Sequence, residues 1–231
     1  MDRWCLVEIK TIVNKQNFIA LDLELNQPSN KIIQVGVAIG NACQHPNEYI
    51  VKKWYIDPKE PIDPFIVDLT GITDSDIRAY SYSHATVARE LDELIKKHKP
   101  WLNAVVWGYD DAGVLRKEFE RNSVEFKHLG GRWIDLKTIY NFMMFSENAN
   151  PRGGLTEAMA KYDLAFDGPA HRADVDAVNT LKFFFEVMNR QSTMIDIVAH
   201  YQYNKDIEDS LVSSLSKDSA ASDILWEIDN G

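Results

Sequence analysis

The stretch Phe18-Ile19-Ala20-Leu21-Asp22-Leu23-Glu24-Leu25 constrains this chain most, because an apolar run leads straight into two carboxylates spaced two apart. An extended chain sends residues i and i+2 to the same face, so Asp22 and Glu24 are expected side by side at the end of a buried strand. Two carboxylates held together at the edge of a core repel and lose hydration, and a divalent cation is the usual compensation. A lone Asp-x-Glu more often just faces water. The same pattern recurs at Asp206-Ile207-Glu208, in a polar region with no apolar run before it. The rest of the chain has to separate the two.

A length of 231 residues allows one large domain or two small ones, and 45% apolar with 26% charged residues fits a globular protein. No apolar run approaches the ~18–20 residues of a membrane span. Residues Met1 to Cys5 lack the basic-then-apolar layout of a secretory signal. Two cysteines, Cys5 and Cys43, imply no disulfide framework, so a reducing cytoplasm is expected and a thiolate metal site is not. The net charge of −10 argues against binding nucleic acid through a basic surface. Half of that charge lies beyond Asn204, where seven acids face Lys205 and Lys217 in residues 205–231. The expected organisation is one domain over 1–204 and an acidic, polar tail over 205–231.

Along the chain, Trp4 to Val13 reads as either a short strand or a helix. Strands are expected at Asn17–Leu25, Ile32–Ile39 and Glu48–Ile56, joined by short turns as an antiparallel meander. Pro58, Pro61 and Pro64 are expected to stop regular structure. Thr73 caps a short helix to Tyr80, and Ser83 caps a longer one whose Val87, Leu91, Leu94 and Ile95 share a face. A strand at Leu102–Trp107, a helix to about Asn122, a strand at Arg132–Leu136 and helices at Lys137–Phe145, Leu155–Tyr162, His171–Asn189 and Ser192–Tyr203 follow. This order predicts an α/β fold: a mixed five-stranded sheet, three strands antiparallel and the others parallel, flanked by helices.

Three features put acid at the loop ends of that layout: Asp22/Glu24, Asp110-Asp111, and His171 with Asp176 five residues on. Open α/β sheets place their sites at the carboxyl ends of parallel strands. If the strand ending at Trp107 runs parallel beside the first, Asp22, Glu24 and Asp111 converge, and the last long helix adds Asp176. Four carboxylates without cysteine suit Mg²⁺ or Mn²⁺. That number suggests two ions ~3.5–4 Å apart, as in phosphodiester hydrolysis. A nearby histidine can take the proton from the attacking water. Taken singly, each residue has a plainer reading. Asp111 reads as a helix cap, Asp176 as a first-turn acid and His171 as a surface histidine.

Together these residues resemble the DEDD 3′→5′ exonuclease superfamily, in the subgroup with a histidine in its third motif. The first motif is Asp22-Leu23-Glu24. The second is Asp111 with Leu115 four residues on. The third is His171-Arg172-Ala173-Asp174-Val175-Asp176. Leu69-Thr70-Gly71-Ile72-Thr73, Trp107-Gly108 and Arg152-Gly153-Gly154-Leu155 resemble the ERI-1-like exoribonuclease branch. The resemblance covers about Phe18 to Met188.

The resemblance implies an RNase H-like fold and removal of nucleotides from 3′ ends of RNA or DNA with two Mg²⁺ or Mn²⁺. It implies Asp22, Glu24, Asp111 and Asp176 as metal ligands, His171 as general base, and Leu25 and Leu69 as apolar contacts to the terminal base. Asp110 replaces the usual aromatic or apolar residue before the second-motif acid and is the alternative ligand to Asp111. Leu25-Asn26 replace the small or hydroxyl residues common after the first motif. The expected activity is exonucleolytic on single-stranded ends, RNA before DNA. A DNA exonuclease of proofreading or repair type and a non-catalytic adapter with the same fold are the alternatives.

Overall fold

The computed structural model describes residues 15–108, 110–146 and 153–189. The expected elements at 4–13 and 192–203, the tail 205–231 and the second Asp-x-Glu lie outside the described residues.

A six-stranded mixed sheet forms the centre, in the order β4-β3-β2-β1-β5-β6. Its strands are β1 (Phe18–Leu25), β2 (Ile32–Gly40), β3 (Ile50–Ile56), β4 (Ser81–Tyr82), β5 (Trp101–Val106) and β6 (Ile134–Asp135). The first three make the expected antiparallel meander. β5 joins β1 in parallel, and β6 joins β5 in parallel. The strand beyond the expected five is β4, a two-residue edge running parallel to β3. It is too short to leave a periodic signal in the sequence.

Seven α-helices occur among the described residues: α1 (Pro64–Thr70), α2 (Asp74–Tyr80), α3 (His84–His98), α4 (Asp110–Arg121), α5 (Leu136–Ser146), α6 (Leu155–Ala160) and α7 (Ala173–Asn189). Local chemistry sets their ends. The Ser83 side chain accepts from the Thr86 N–H to start α3, and Lys99 closes it with a left-handed backbone. Thr73 and Asp76 cap α2 reciprocally. Pro64 departs from expectation, because it opens α1 instead of ending structure. Asp63 is the cap, accepting from the Phe65 N–H, and Pro64 takes the first helical position, where its missing N–H costs nothing. Gly71, at φ 69°, ends the helix.

Every residue of β2 is buried, as a strand covered on both faces requires. One face carries Ile19, Leu21, Leu23, Val35, Val37 and Trp54, packed against Val87, Leu91 and Ile95 of α3 and Leu115 and Phe119 of α4. Each such aliphatic side chain contributes ~1.5–3 kcal/mol on burial. The other face takes α7: Phe18 meets Phe184 and Phe185 with ring centroids 4.9 and 5.9 Å apart. A smaller cluster of Ile33, Ile62, Ile66, Ile72 and Ile77 seats α1 and α2 beside the end of β1.

The start of α7 is fixed by one close approach. A Cβ on Gly36 would fall 2.0 Å from the Ala173 carbonyl carbon, so only glycine lets the helix sit down on β2. Buried Gln34 completes the seat, its Oε1 accepting from the Ala173 N–H at 2.8 Å. Gly36 and Gln34 are the cross-strand partners of Asp22 and Glu24. The contact that docks α7 thus brings its first turn over the two acids.

Candidate active site

Asp22 is half-buried and Glu24 is buried, both near the end of β1. Asp176 lies in the first turn of α7, where its Oδ2 accepts from the Arg172 N–H at 3.1 Å. One carboxylate oxygen from each of Asp22, Glu24 and Asp176 lies within 4.8 Å of the other two. Asp111 stands at the second residue of α4 and outside that triad, yet its charge reaches it, raising the proton affinity of both Asp22 and Glu24. Leu115, which set the spacing for Asp111, is fully buried in the core. The side chain of Asp110 lies outside the described residues.

The electrostatics are those of a site short of positive charge. Burial first, then Asp111, Glu24 and Asp176, push the Asp22 carboxyl well above the carboxylate range. Glu24 is raised from 4.5 to about 8 by burial, Asp176 and Asp111, against a partial pull downward from Arg172. Burial also lifts Asp176 to about 6, although the Arg172 and His171 backbone N–H groups and the His171 charge oppose it. Crowded, half-desolvated oxygens of this kind hold their protons against water, and a hard divalent cation bound to them would displace those protons to solvent and offset the repulsion. The donor set therefore fits Mg²⁺ or Mn²⁺.

His171 precedes α7 with φ 61°, a left-handed conformation costing about 1 kcal/mol or more outside glycine. It lines the same cleft of about 510 Å³ as Asp22, Glu24 and Asp176. That cleft also holds Trp107, Lys137, Glu157 and Phe166. Trp107 packs on Tyr140 and Phe183, with ring centroids 5.7 and 5.9 Å apart, and so joins the cleft wall to α5 and α7. Lys137, a cation at the mouth of an acidic cleft, was not singled out by sequence reasoning. It sits in no motif, and only the position of α5 brings it there.

Leu25 and Leu69 lie apart from the triad's cleft. Leu25 lines a neighbouring cleft on the α4 side of β1, and Leu69 is 39% exposed on α1, one turn after the more exposed Phe65. Asn26, the departure after the first motif, has a structural role. It is buried; its Nδ2 donates to Glu60 and to the Pro61 carbonyl at 3.0 Å each, and its Oδ1 accepts from the Asp63 N–H at 2.8 Å. A small or hydroxyl side chain does not offer that set of donors and acceptor. Asn26 ties the end of β1 to the cap of α1, and with it the Phe65/Leu69 face. Lys31 and Ser29 bond to the same Glu60 carboxylate and, with Asn26, pull it down to about 2.

Behind the triad, Lys53 pairs with Asp174 at 2.9 Å and Arg172 donates to the Tyr55 hydroxyl at 3.0 Å. These bonds join β3 to the third motif and hold the turn that presents His171.

The sequence model of the exonuclease family, RNase T type, matches residues 19–184. No curated protein matches the chain in sequence. Among solved structures, the chain is similar to the nuclease domain of 3′hExo, a DEDDh family member bound to rAMP. That likeness has a TM-score of 0.63 and 17% identity over 76% of this chain and 92% of that one. It is similar to cell-death related nuclease 4 (CRN-4), with a TM-score of 0.62 and 16% identity over 78% and 65%. It is also similar to Exonuclease I of E. coli in complex with a dA16 oligonucleotide, with a TM-score of 0.58 and 20% identity over 79% of this chain and 42% of that one. With the family's sequence pattern running through the whole sheet and on into α7, the chain belongs to the exonuclease family of the DEDD 3′→5′ superfamily.

Proposed function

We propose that this protein is a divalent-metal-dependent 3′→5′ exonuclease that hydrolyses phosphodiester bonds at single-stranded 3′ ends, RNA in preference to DNA. The observation that carries the reading is the triad Asp22, Glu24 and Asp176, gathered within 4.8 Å from two distant parts of the chain in a cleft that also holds His171. Support for RNA comes from the ERI-1-like pieces of sequence and from the fold shared with 3′hExo.

In this reading Asp22, Glu24, Asp111 and Asp176 hold two Mg²⁺ or Mn²⁺ ions. The ions, when bound, supply Lewis acidity to the attacking water and the leaving oxygen. His171 accepts the water's proton at a ring nitrogen, from a backbone turn held by the Arg172–Tyr55 and Lys53–Asp174 pairs. Lys137 lines the same cleft and would offer its charge to a substrate phosphate. Leu25 and Leu69 contact the terminal base without reading it, which gives low sequence preference. The domain so proposed spans residues 1–204, with 205–231 as an acidic tail. With two cysteines and no disulfide framework, a reducing cytoplasm is the location we propose. Among the described residues no helix is long and apolar enough to cross a membrane.

Labelled single-stranded RNA and DNA, incubated with Mg²⁺, with EDTA and with Asp22→Ala, test the reading. The expected result is metal-dependent shortening from the 3′ end, faster on RNA and lost in the variant. Faster shortening of DNA would favour the repair-type exonuclease instead. Intact substrate under every metal condition would leave the adapter.

A further inference from the structure

Helix α4 carries Asp111 at its second residue, and Leu115 and Glu118 follow on the same stripe at i+4 and i+7. Leu115 is buried in the core with Phe119. Glu118 is charged, yet its side chain is only 13% exposed, and its carboxylate is shared between two other elements. Its Oε2 accepts from the N–H of Ile32, the first residue of β2, at 2.9 Å. Its Oε1 lies 3.1 Å from Nε2 of His84, the first residue of α3. A carboxylate only accepts, so the ring nitrogen donates. The His84 ring stands edge-on to Phe119, with centroids 5.0 Å apart. Asn122 closes the group: its Nδ2 donates to the Glu118 carbonyl at 2.9 Å and lies 3.4 Å from the same His84 nitrogen.

A nearly buried carboxylate costs desolvation, and an apolar side chain of like volume often packs as well or better. What the carboxylate adds is direction. Leu115 and Phe119 hold α4 against the sheet, but apolar contact is non-directional and resists rotation about the helix axis weakly. The Ile32 N–H and His84 fix that rotation at two points. Ile32 pairs with Leu25, directly after the shift in register that follows Glu24. The tie therefore joins α4 to the strand pair that carries Asp22 and Glu24. A side-chain tip stands ~5–6 Å from its helix axis, so a turn of ~20° would move the Asp111 carboxylate by about 2 Å. That is as long as a whole Mg²⁺–oxygen bond, ~2.0–2.1 Å.

We propose that Glu118 is a positioning residue for the metal site: by joining the Ile32 N–H and His84 it fixes the rotation of α4, and through it the reach of Asp111 towards Asp22 and Glu24. The inference rests on the proposed role of Asp111 as a metal ligand and extends it to a residue in none of the three motifs. Glu118 stands about 10 Å along the helix from Asp111 and acts through it alone.

The test is Mn²⁺ binding to the full chain without nucleic acid, titrated by electron paramagnetic resonance. Glu118→Leu keeps the volume and removes both bonds. Glu118→Gln removes the charge and keeps them, its amide oxygen accepting from Ile32 and its amide N–H donating to a His84 ring protonated on Nδ1. Ile95→Ala, buried in the last turn of α3, controls for lost stability. Mn²⁺ affinity is expected about tenfold weaker in Glu118→Leu, the low end for a residue that orients a metal ligand, and close to wild type in the other two. Asp111→Asn should weaken binding as well, and adding Glu118→Leu to it should weaken binding no further, because residues acting as one unit do not add. If Glu118→Leu does not fold, His84→Phe, which keeps a ring on Phe119 and removes one bond, takes its place in the same comparison. Glutamine as poor as leucine would assign the loss to charge at a distance, and an equal loss in Ile95→Ala would assign it to stability. Either result overturns the proposal, as do losses that add in the double variant or an Asp111→Asn protein with wild-type affinity. All of these leave metal dependence standing, whereas a wild type that binds no Mn²⁺ would sink metal dependence and the positioning role together.

Discussion

Glu24→Gln removes one charge from the triad and leaves the shape of the side chain. In the folded protein Glu24 holds its proton up to about pH 8, against an ordinary 4.5. The folded state therefore binds more protons than the unfolded state between those values, and stability falls as pH rises through the window. At ~1.4 kcal/mol per tenfold change in proton affinity, the ionised group costs a ceiling of about 5 kcal/mol at pH 8.5 and only about 1 kcal/mol at pH 5. Urea denaturation of metal-free protein in EDTA should show the wild type markedly less stable at pH 8.5 than at pH 5. Glu24→Gln should recover several kcal/mol at pH 8.5 and little at pH 5. Millimolar Mg²⁺ should stabilise the wild type most at pH 8.5, where the carboxylates are ionised, and Glu24→Gln much less. Equal stability of the two proteins at both pH values would refute the electrostatic account. An undiminished Mg²⁺ effect in the variant would remove Glu24 from the ligand set.

Other consequences are more direct. His171→Ala should lower kcat by ~10²–10⁴, the usual worth of a general base, while the Mg²⁺ affinity measured by calorimetry stays within a few-fold; equal loss of both would make His171 structural. Gly36→Ala forces a methyl group into the backbone of Ala173 and should cost at least ~1–3 kcal/mol in chemical denaturation, with weaker Mg²⁺ binding because the Asp176 turn lifts away from β1. A Gly36→Ala protein as stable as the wild type would show that α7 is not seated there.

Much of the fold follows from local rules. The alternating and continuous apolar runs of β1 and β2, the Ser83 and Thr73 caps and the Val87/Leu91/Ile95 stripe are short-range features, and each element forms near its expected place. The exceptions have local causes as well. Asp63-Pro64 is a cap followed by a first-turn proline, which a count of prolines alone reads as a break. β4 has two residues, and its pairing is decided by β3.

The i, i+2 spacing of Asp22 and Glu24 is written in the sequence, because it follows from strand geometry alone. Their meeting with Asp176 is not, because it depends on residues some 150 positions apart. What brings them together is a close contact between backbones at Gly36 and Ala173 and one buried hydrogen bond from Ala173 to Gln34. Nothing local to either segment requires those contacts, and the arrival of Lys137 in the cleft is of the same kind. The raised proton affinities of Glu24 and Asp176 are likewise tertiary, since burial is the largest cause of both, and for Glu24 the charges of Asp176 and Asp111 on other elements add to it. Sequence by itself determined which acids and which histidine stand at the ends of elements. Only the packing of α7 onto β2 beside the end of β1 decided that three carboxylates share one desolvated space, because Coulomb and desolvation energies depend on distance in space and not on spacing along the chain.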